Sequence, residues 1–205
     1  MAPKPDKPTD TPILLSSYTF RDHPFAVACQ KAVQYGYDGI ASFAQMGIKL
    51  INASVAPLRN PENERRSGSW LAEDWHYERA SAGVRALLPA LQEHASLLTL
   101  EMTQHTLHDC AQSTRELLRA VASPLVKANL DAGNLFAIPG AEHPAHAVEI
   151  LDDHIGYLHL KNARQVGDHF DFSHLLEEGN LDYFAILTAV RQHGLAVPML
   201  SLIHI

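Results

Sequence analysis

The sequence is poor in cysteine, has no long apolar run and carries no cluster of basic residues. Only Cys29 and Cys110 occur among 205 residues and they lack CxxC spacing, which excludes a disulfide framework and points to a reducing, cytoplasmic compartment. Both are expected to be buried as small apolar residues. No stretch approaches the roughly 18 apolar residues needed to span a bilayer, and the amino terminus lacks the apolar core of a secretory signal. A net charge of −7 with no basic run offers no electrostatic footprint for a nucleic-acid backbone or an anionic membrane. Neither GxGxxG nor GxxxxGK[ST] follows any apolar run, which argues against the usual nucleotide-binding α/β sheets.

What is present is the composition of an ordinary globular protein, 46% hydrophobic and 19% charged. Residues 1–12 hold Pro3, Pro5, Pro8 and Pro12 among Lys and Asp and are expected to form an extended, poorly ordered tail. That leaves 13–205 as a single domain. Histidine is plentiful, with 13 residues, most of which, His94, His108 and His193 among them, are expected on exposed helix faces or loops.

Three short apolar runs organise the chain. Leu97-Leu98-Thr99-Leu100 ends on Glu101, Val126 to Leu130 ends on Asp131, and Ile155-Gly156-Tyr157-Leu158 ends on His159. Asp131 follows Glu101 by 30 residues and His159 follows Asp131 by 28, about one strand-helix unit returning to a parallel neighbour. Each interval also carries a helical pattern, so the three residues are expected at the same end of adjacent parallel strands. Barrels of this class keep their chemistry at that end.

In chain order, Ile13 to Phe20 reads as a first strand, followed by a helix from Pro24 to Tyr35 and a second strand from Tyr37 to Ile40. Another β-branched run begins at Gly47, leaving too little room for a crossover, since parallel strands need a connection of about a dozen residues or more. Either the two runs form one irregular connection or a unit is missing. Residues 56–74 form a long loop in which Trp70 and Trp75 are expected to pack onto the helices, with a wall against a ligand as the alternative. Helices are predicted from Asp74 to His94 with a kink at Pro89, from Asp109 to Ala122, from His143 to Asp153 and from Leu181 to His193. Asn162 to Asn180 is expected to be loop, and Val197 opens a final strand. Strands apolar along most of their length, alternating with helices, predict a parallel sheet buried on both faces. The fold class is α/β, a TIM-type (β/α) barrel of about seven strands lacking one helix-strand-helix unit, with an open doubly wound sheet as the alternative.

Two carboxylates and an imidazole suit a divalent ion such as Mn²⁺, Mg²⁺, Co²⁺ or Zn²⁺. Singly, each has a plainer reading as a helix-capping acid, a salt-bridge partner or a satisfied core histidine. Together, charged groups clustered beside a core call for a partner that neutralises them. His105, four residues past Glu101, and Lys161 and Arg164, just beyond His159, are candidates to bind a substrate hydroxyl or phosphate at the same rim. Their plainer reading is loop packing and solvated charge.

The stretches LLTLEMTQHTL, VKANLDAGNLF, IGYLHLKNAR and EEGNLDYFAIL jointly resemble the xylose-isomerase-like α/β barrels. That family includes sugar and sugar-phosphate isomerases and epimerases, inosose dehydratases and an apurinic endonuclease branch, and the resemblance runs from Ile13 to Met199. It implies that Glu101, Asp131 and His159 bind a metal with a fourth ligand, a Glu ending the last strand. It also implies proton transfer next to a carbonyl of a small sugar or polyol, with Glu101 as ligand and general base and the terminal Glu returning the proton on the opposite face. A homo-oligomer is left open. Where the family often has Asp-x-x-His, this chain has Asn134, able to hydrogen-bond to a substrate but a poor ligand. The endonuclease branch would use more metal ligands and a basic surface, neither of which shows here; an inactive, truncated fragment is the third reading.

The last strand places Ile203 about where the family's Glu is expected. The hexapeptide LSLIHI, Leu200 to Ile205, is a translation of ctgtctcttatacacatc, the transposon end used in sequencing-library preparation. The expectation is that the reading frame entered adapter after Met199 and that the natural chain continues through the Glu. Genomic codons that spell this tail would overturn it.

Overall fold

The computed structural model describes residues 49–201 together with the short strand segments 14–15 and 39–40. Strands β1 (Leu14–Leu15) and β2 (Gly39–Ile40) pair in parallel. The expected tail, the helix from Pro24 to Tyr35, Cys29 and Ile203 lie outside the described residues.

A second sheet of five parallel strands runs in sequence order: β3 (Leu50–Ala53), β4 (Leu97–Glu101), β5 (Val126–Asp131), β6 (Ile155–Leu160) and, beyond a hairpin of β7 (Arg164–Val166) and β8 (His169–Asp171), β9 (Met199–Ser201). Every crossover in it returns through helix. Helices α1 (Asp74–Arg85) and α2 (Leu88–Glu93) join β3 to β4, and α3 (Ala111–Val121) joins β4 to β5. Helices α4 (Ala132–Phe136) and α5 (Pro144–Leu151) join β5 to β6, and α6 (Tyr183–Gln192) precedes β9. This is the repeating unit of a (β/α) barrel. Strands β2 and β3 fall in different sheets with only residues 41–49 between them, too few for a parallel crossover. The architecture is therefore that of an incomplete barrel.

The sheet is buried on both faces, as expected, but its two faces differ in polarity. The strands alternate, because successive side chains of a strand point to opposite sides. Leu98, Leu100, Val126, Ala128, Leu130 and Leu158 face outward and pack with Leu117, Leu118 and Val121 of α3, Val148 and Leu151 of α5, and Val190 of α6. The opposite face carries Thr99, Asn129, Asp131 and His159, all polar and all buried. The core thus lies between sheet and helices, while the inner face gathers these polar groups toward the carboxyl-terminal ends of the strands.

In β6 this alternation depends on one register shift. Ala128 stands opposite Ile155 but Asn129 stands opposite Tyr157, so Gly156 is an extra residue in the ladder. The shift keeps both Ile155 and Leu158 in the core while setting His159 directly opposite Asp131. Glycine is needed there because a Cβ would fall 2.6 Å from Lys127 Cβ.

Several expectations are corrected by the chain's local physics. The single helix from Asp74 to His94 is two helices separated at Ala86 and Leu87, with Pro89 in the first turn of α2, where its missing N–H is no loss. Cys110 is half-buried at the N-cap of α3, beside Ser113, rather than fully buried. Trp70 and Trp75 are not buried against the helices but 69% and 50% exposed, and Trp75 lies within α1 itself, its ring stacked on His76. His108 is completely buried instead of exposed, accepting a hydrogen bond at Nε2 from Val55 N–H (3.0 Å). Burial pushes its pKa down to about 4, so the imidazole is neutral. The loop expected from Asn162 to Asn180 contains the β7–β8 hairpin, Val166 opposite His169 across Gly167 and Asp168. No helix among the described residues is long and apolar enough to cross a membrane.

Candidate metal centre

Glu101, Asp131 and His159 meet at the carboxyl-terminal ends of β4, β5 and β6. One ligand-type atom from each lies within 4.8 Å of the other two. His159 Nδ1 is 3.4 Å from Glu101 Oε1 and 3.4 Å from Asp131 Oδ2. Neither contact is aligned as a hydrogen bond, and both Nδ1 of His159 and Oδ2 of Asp131 are buried without a hydrogen-bond partner. Burial alone would push the His159 imidazole down, but the carboxylates of Asp131 and Glu101 outweigh it and raise its pKa to about 9. Two anionic groups and one imidazole converging in a buried place call for a shared cation, and a divalent ion meets that need with the right donor types. The residues present fit such an ion.

The two oxygens of Asp131 have separate tasks. Oδ1 accepts from Asn134 N–H (2.9 Å) and so caps α4, the plainer role for an acid at a strand end. Oδ2 is left for the centre, 3.1 Å from Lys161 Nζ. Capping and ligation are therefore compatible in one side chain.

Of the four further residues singled out from sequence, two join the triad. Asn134 donates through Nδ2 to Glu101 Oε1 (3.4 Å) and to the Met102 carbonyl (3.1 Å). Its Oδ1 accepts from Lys161 Nζ (2.7 Å), which fixes the amide's orientation. Lys161 is held in turn by Tyr183, whose hydroxyl accepts from the Lys161 amide (2.7 Å) and donates to its carbonyl (2.8 Å). Its carbonyl passes so close to α4 that a Cβ on Gly133 would sit 2.7 Å away. Arg164 points elsewhere and donates to the Glu178 carbonyl. His105, with φ of 64°, accepts at its carbonyl from Leu58 N–H (2.8 Å) and lines an adjoining groove.

Sequence reading missed a clamp under Glu101. Asn52 Nδ2 donates to Glu101 Oε2 (2.6 Å), while Asn52 Oδ1 accepts from Thr99 Oγ1 (3.0 Å) and Asn129 Nδ2 (3.0 Å). One carboxylate oxygen is thereby tied down, and Oε1, which takes only the long bond from Asn134, faces His159 at the centre. The available signal was an Asn in each of two apolar runs, a residue disfavoured in strands. Asn52→Ala is expected to weaken Mn²⁺ binding by about 10- to 100-fold, the usual cost of losing a partner that orients a ligand. Calorimetric titration reads this, and unchanged affinity would show that the clamp does not orient Glu101.

Parallel strands returning through helices, with donors gathered at their carboxyl ends, define a (β/α)-barrel protein. The chain belongs to the xylose isomerase-like TIM barrel family, whose model matches residues 11–202. Its fold is similar to that of the probable 3-DHS dehydratase AsbF of Bacillus anthracis, at 19% identity and a TM-score of 0.60, covering 94% of this chain and 92% of that one. It is also similar to a xylose isomerase-like TIM barrel protein from Mycobacterium smegmatis in complex with magnesium, at 17% identity and a TM-score of 0.61, covering 92% and 65%. A third likeness is to a xylose isomerase domain protein from Planctomyces limnophilus, at 18% identity and a TM-score of 0.58. There the match covers 77% of this chain but only 52% of the other, so the chain spans about half that protein's length. Comparison with curated proteins gives no match.

Proposed function

We propose that this protein is a divalent-metal-dependent isomerase or epimerase that moves a proton next to the carbonyl of a small sugar or polyol in the cytoplasm. The observation that carries the reading is the convergence of Glu101, Asp131 and His159 within 4.8 Å of one another. Structural neighbours that include a D-psicose 3-epimerase, a D-allulose 3-epimerase with D-allulose bound and a mannonate dehydratase support a carbohydrate substrate. When bound, a divalent ion at this position supplies polarisation of the substrate carbonyl, which acidifies the adjacent C–H.

The remaining roles fall to side chains. Glu101 is the base, since Asn52 holds Oε2 and leaves Oε1 directed at the centre to accept the proton. Asp131 and His159 supply the other two donors. Lys161 is placed to hydrogen-bond a substrate oxygen, its Nζ fixed between Asn134 Oδ1 and Asp131 Oδ2. Asn134 orients both Lys161 and Glu101 through the two ends of one amide.

Hydrogen exchange tests the reaction directly. Mn²⁺-loaded protein incubated with a panel of ketohexoses and pentuloses in D₂O is expected to wash deuterium into the carbon beside the carbonyl of at least one, read by proton NMR. A panel with no exchange above a Glu101→Gln control would remove the proton-transfer reading.

A further inference from the structure

We infer that the substrate of this centre carries a second ring, and that this ring occupies a groove along the rim beside the triad. The inference rests on the proposed function. The groove has a volume of about 850 Å³, near the upper end for small-molecule sites and more than one sugar ring fills. It is walled by Trp70, His105, Asp109, Phe136, Phe170 and Phe172. Phe172 joins groove to centre, because its ring lies 4.8 Å from Lys161 Nζ, which is itself 3.1 Å from Asp131 Oδ2.

The aromatic wall is built rather than incidental. Phe136 and Phe170 meet edge to face, with centroids 5.5 Å apart. Trp70 is 69% exposed, yet its backbone neighbours are pinned: Ser69 N–H donates to Asp109 Oδ2 (3.2 Å), and a Cβ on Gly68 would fall 1.8 Å from that same oxygen. Asp109 is 98% buried by contrast, with 2% exposure, and its Oδ1 has no hydrogen-bond partner. Aromatic faces beside the polar side chains of Gln104, His105 and Gln165 suit a ring with an apolar face and a polar edge, either an aryl aglycone or a second sugar. Charge argues against a phosphate there. Arg65 is the one Lys or Arg among the described lining residues, it pairs with Asp168 at 3.6 Å, and Glu142 adds further negative charge.

Equilibrium binding in the full chain tests the groove. In a Trp75→Phe background Trp70 is the sole tryptophan, and its fluorescence reports occupancy by matched methyl and phenyl glycosides of several hexoses, by cellobiose and by glucose 6-phosphate, all at saturating Mn²⁺. Phenyl glycosides or cellobiose are expected to bind about five- to tenfold more tightly than methyl glycosides. Whichever of the two leads identifies the ring as aryl or sugar. Phe170→Ala should erase the preference without altering Mn²⁺ affinity, measured in the same samples. Equal binding of methyl and ring-bearing probes, tightest binding of the phosphate, or a preference that survives Phe170→Ala would each overturn the inference. Mn²⁺ affinity reads the triad and the ring preference reads the groove, so failure of one is distinguishable from failure of the other.

Discussion

Glu101→Gln and His159→Ala are each expected to lower Mn²⁺ affinity by roughly a hundredfold to a few thousandfold. Removing one member of a buried charged set costs about 3–5 kcal/mol because its partners are left uncompensated, and each 1.4 kcal/mol is about a factor of ten. In Glu101→Gln the amide oxygen takes the Asn52 donor that now binds Oε2, which turns the NH₂ toward the centre and presents a donor to a cation. In His159→Ala the Asp131 and Glu101 carboxylates lose the group that lies 3.4 Å from each. Isothermal titration with Mn²⁺, alongside thermal unfolding to confirm folding, measures both effects. Full stoichiometry at unchanged affinity in both variants would mean that no ion is held at this place.

Gly156→Val is expected to give the largest loss of stability and a loss of metal together. The new Cβ would lie 2.6 Å from Lys127 Cβ, 3.0 Å from Lys127 Cγ and 3.3 Å from Leu97 Cδ2. Lys127 cannot swing aside freely, since its Nζ donates to the Asp153 carbonyl (2.7 Å). Overpacking of this kind costs about 1–3 kcal/mol, or roughly 2–12 °C in Tm for a chain of this size. Relief by straightening the ladder would move His159 out of its place opposite Asp131, so Mn²⁺ affinity should fall by at least about tenfold. Differential scanning calorimetry and metal titration on Gly156→Ala and Gly156→Val check this. Both properties unchanged in both variants would show that the extra residue does not set the phase of β6.

The triad was legible because it sits on the strongest signals a sequence carries. Apolar runs of strand length, helical periodicity between them and near-equal intervals place Glu101, Asp131 and His159 on neighbouring strand ends without any tertiary information. The pieces that escaped depend on contacts between distant segments or on a single residue. Asn52 and Asn129 are 77 residues apart, and nothing local tells one of the other. His108 looks like a loop histidine until Leu107, His108 and Asp109 turn inward together. The phase of β6 hinges on Gly156, whose insertion is invisible in a run that reads as evenly apolar. The β7–β8 hairpin was readable and was passed over: Gly167-Asp168 between Val166 and His169 is a two-residue turn signal.

Asp131 divides its two oxygens between jobs that belong to different parts of the molecule. Oδ1 holds the first turn of the short helix that ends at Phe136, and Phe136 walls the groove; Oδ2 faces the triad. Replacing that single acid would therefore disturb the seat of the helix that carries Phe136 and the donor set for the cation at one stroke.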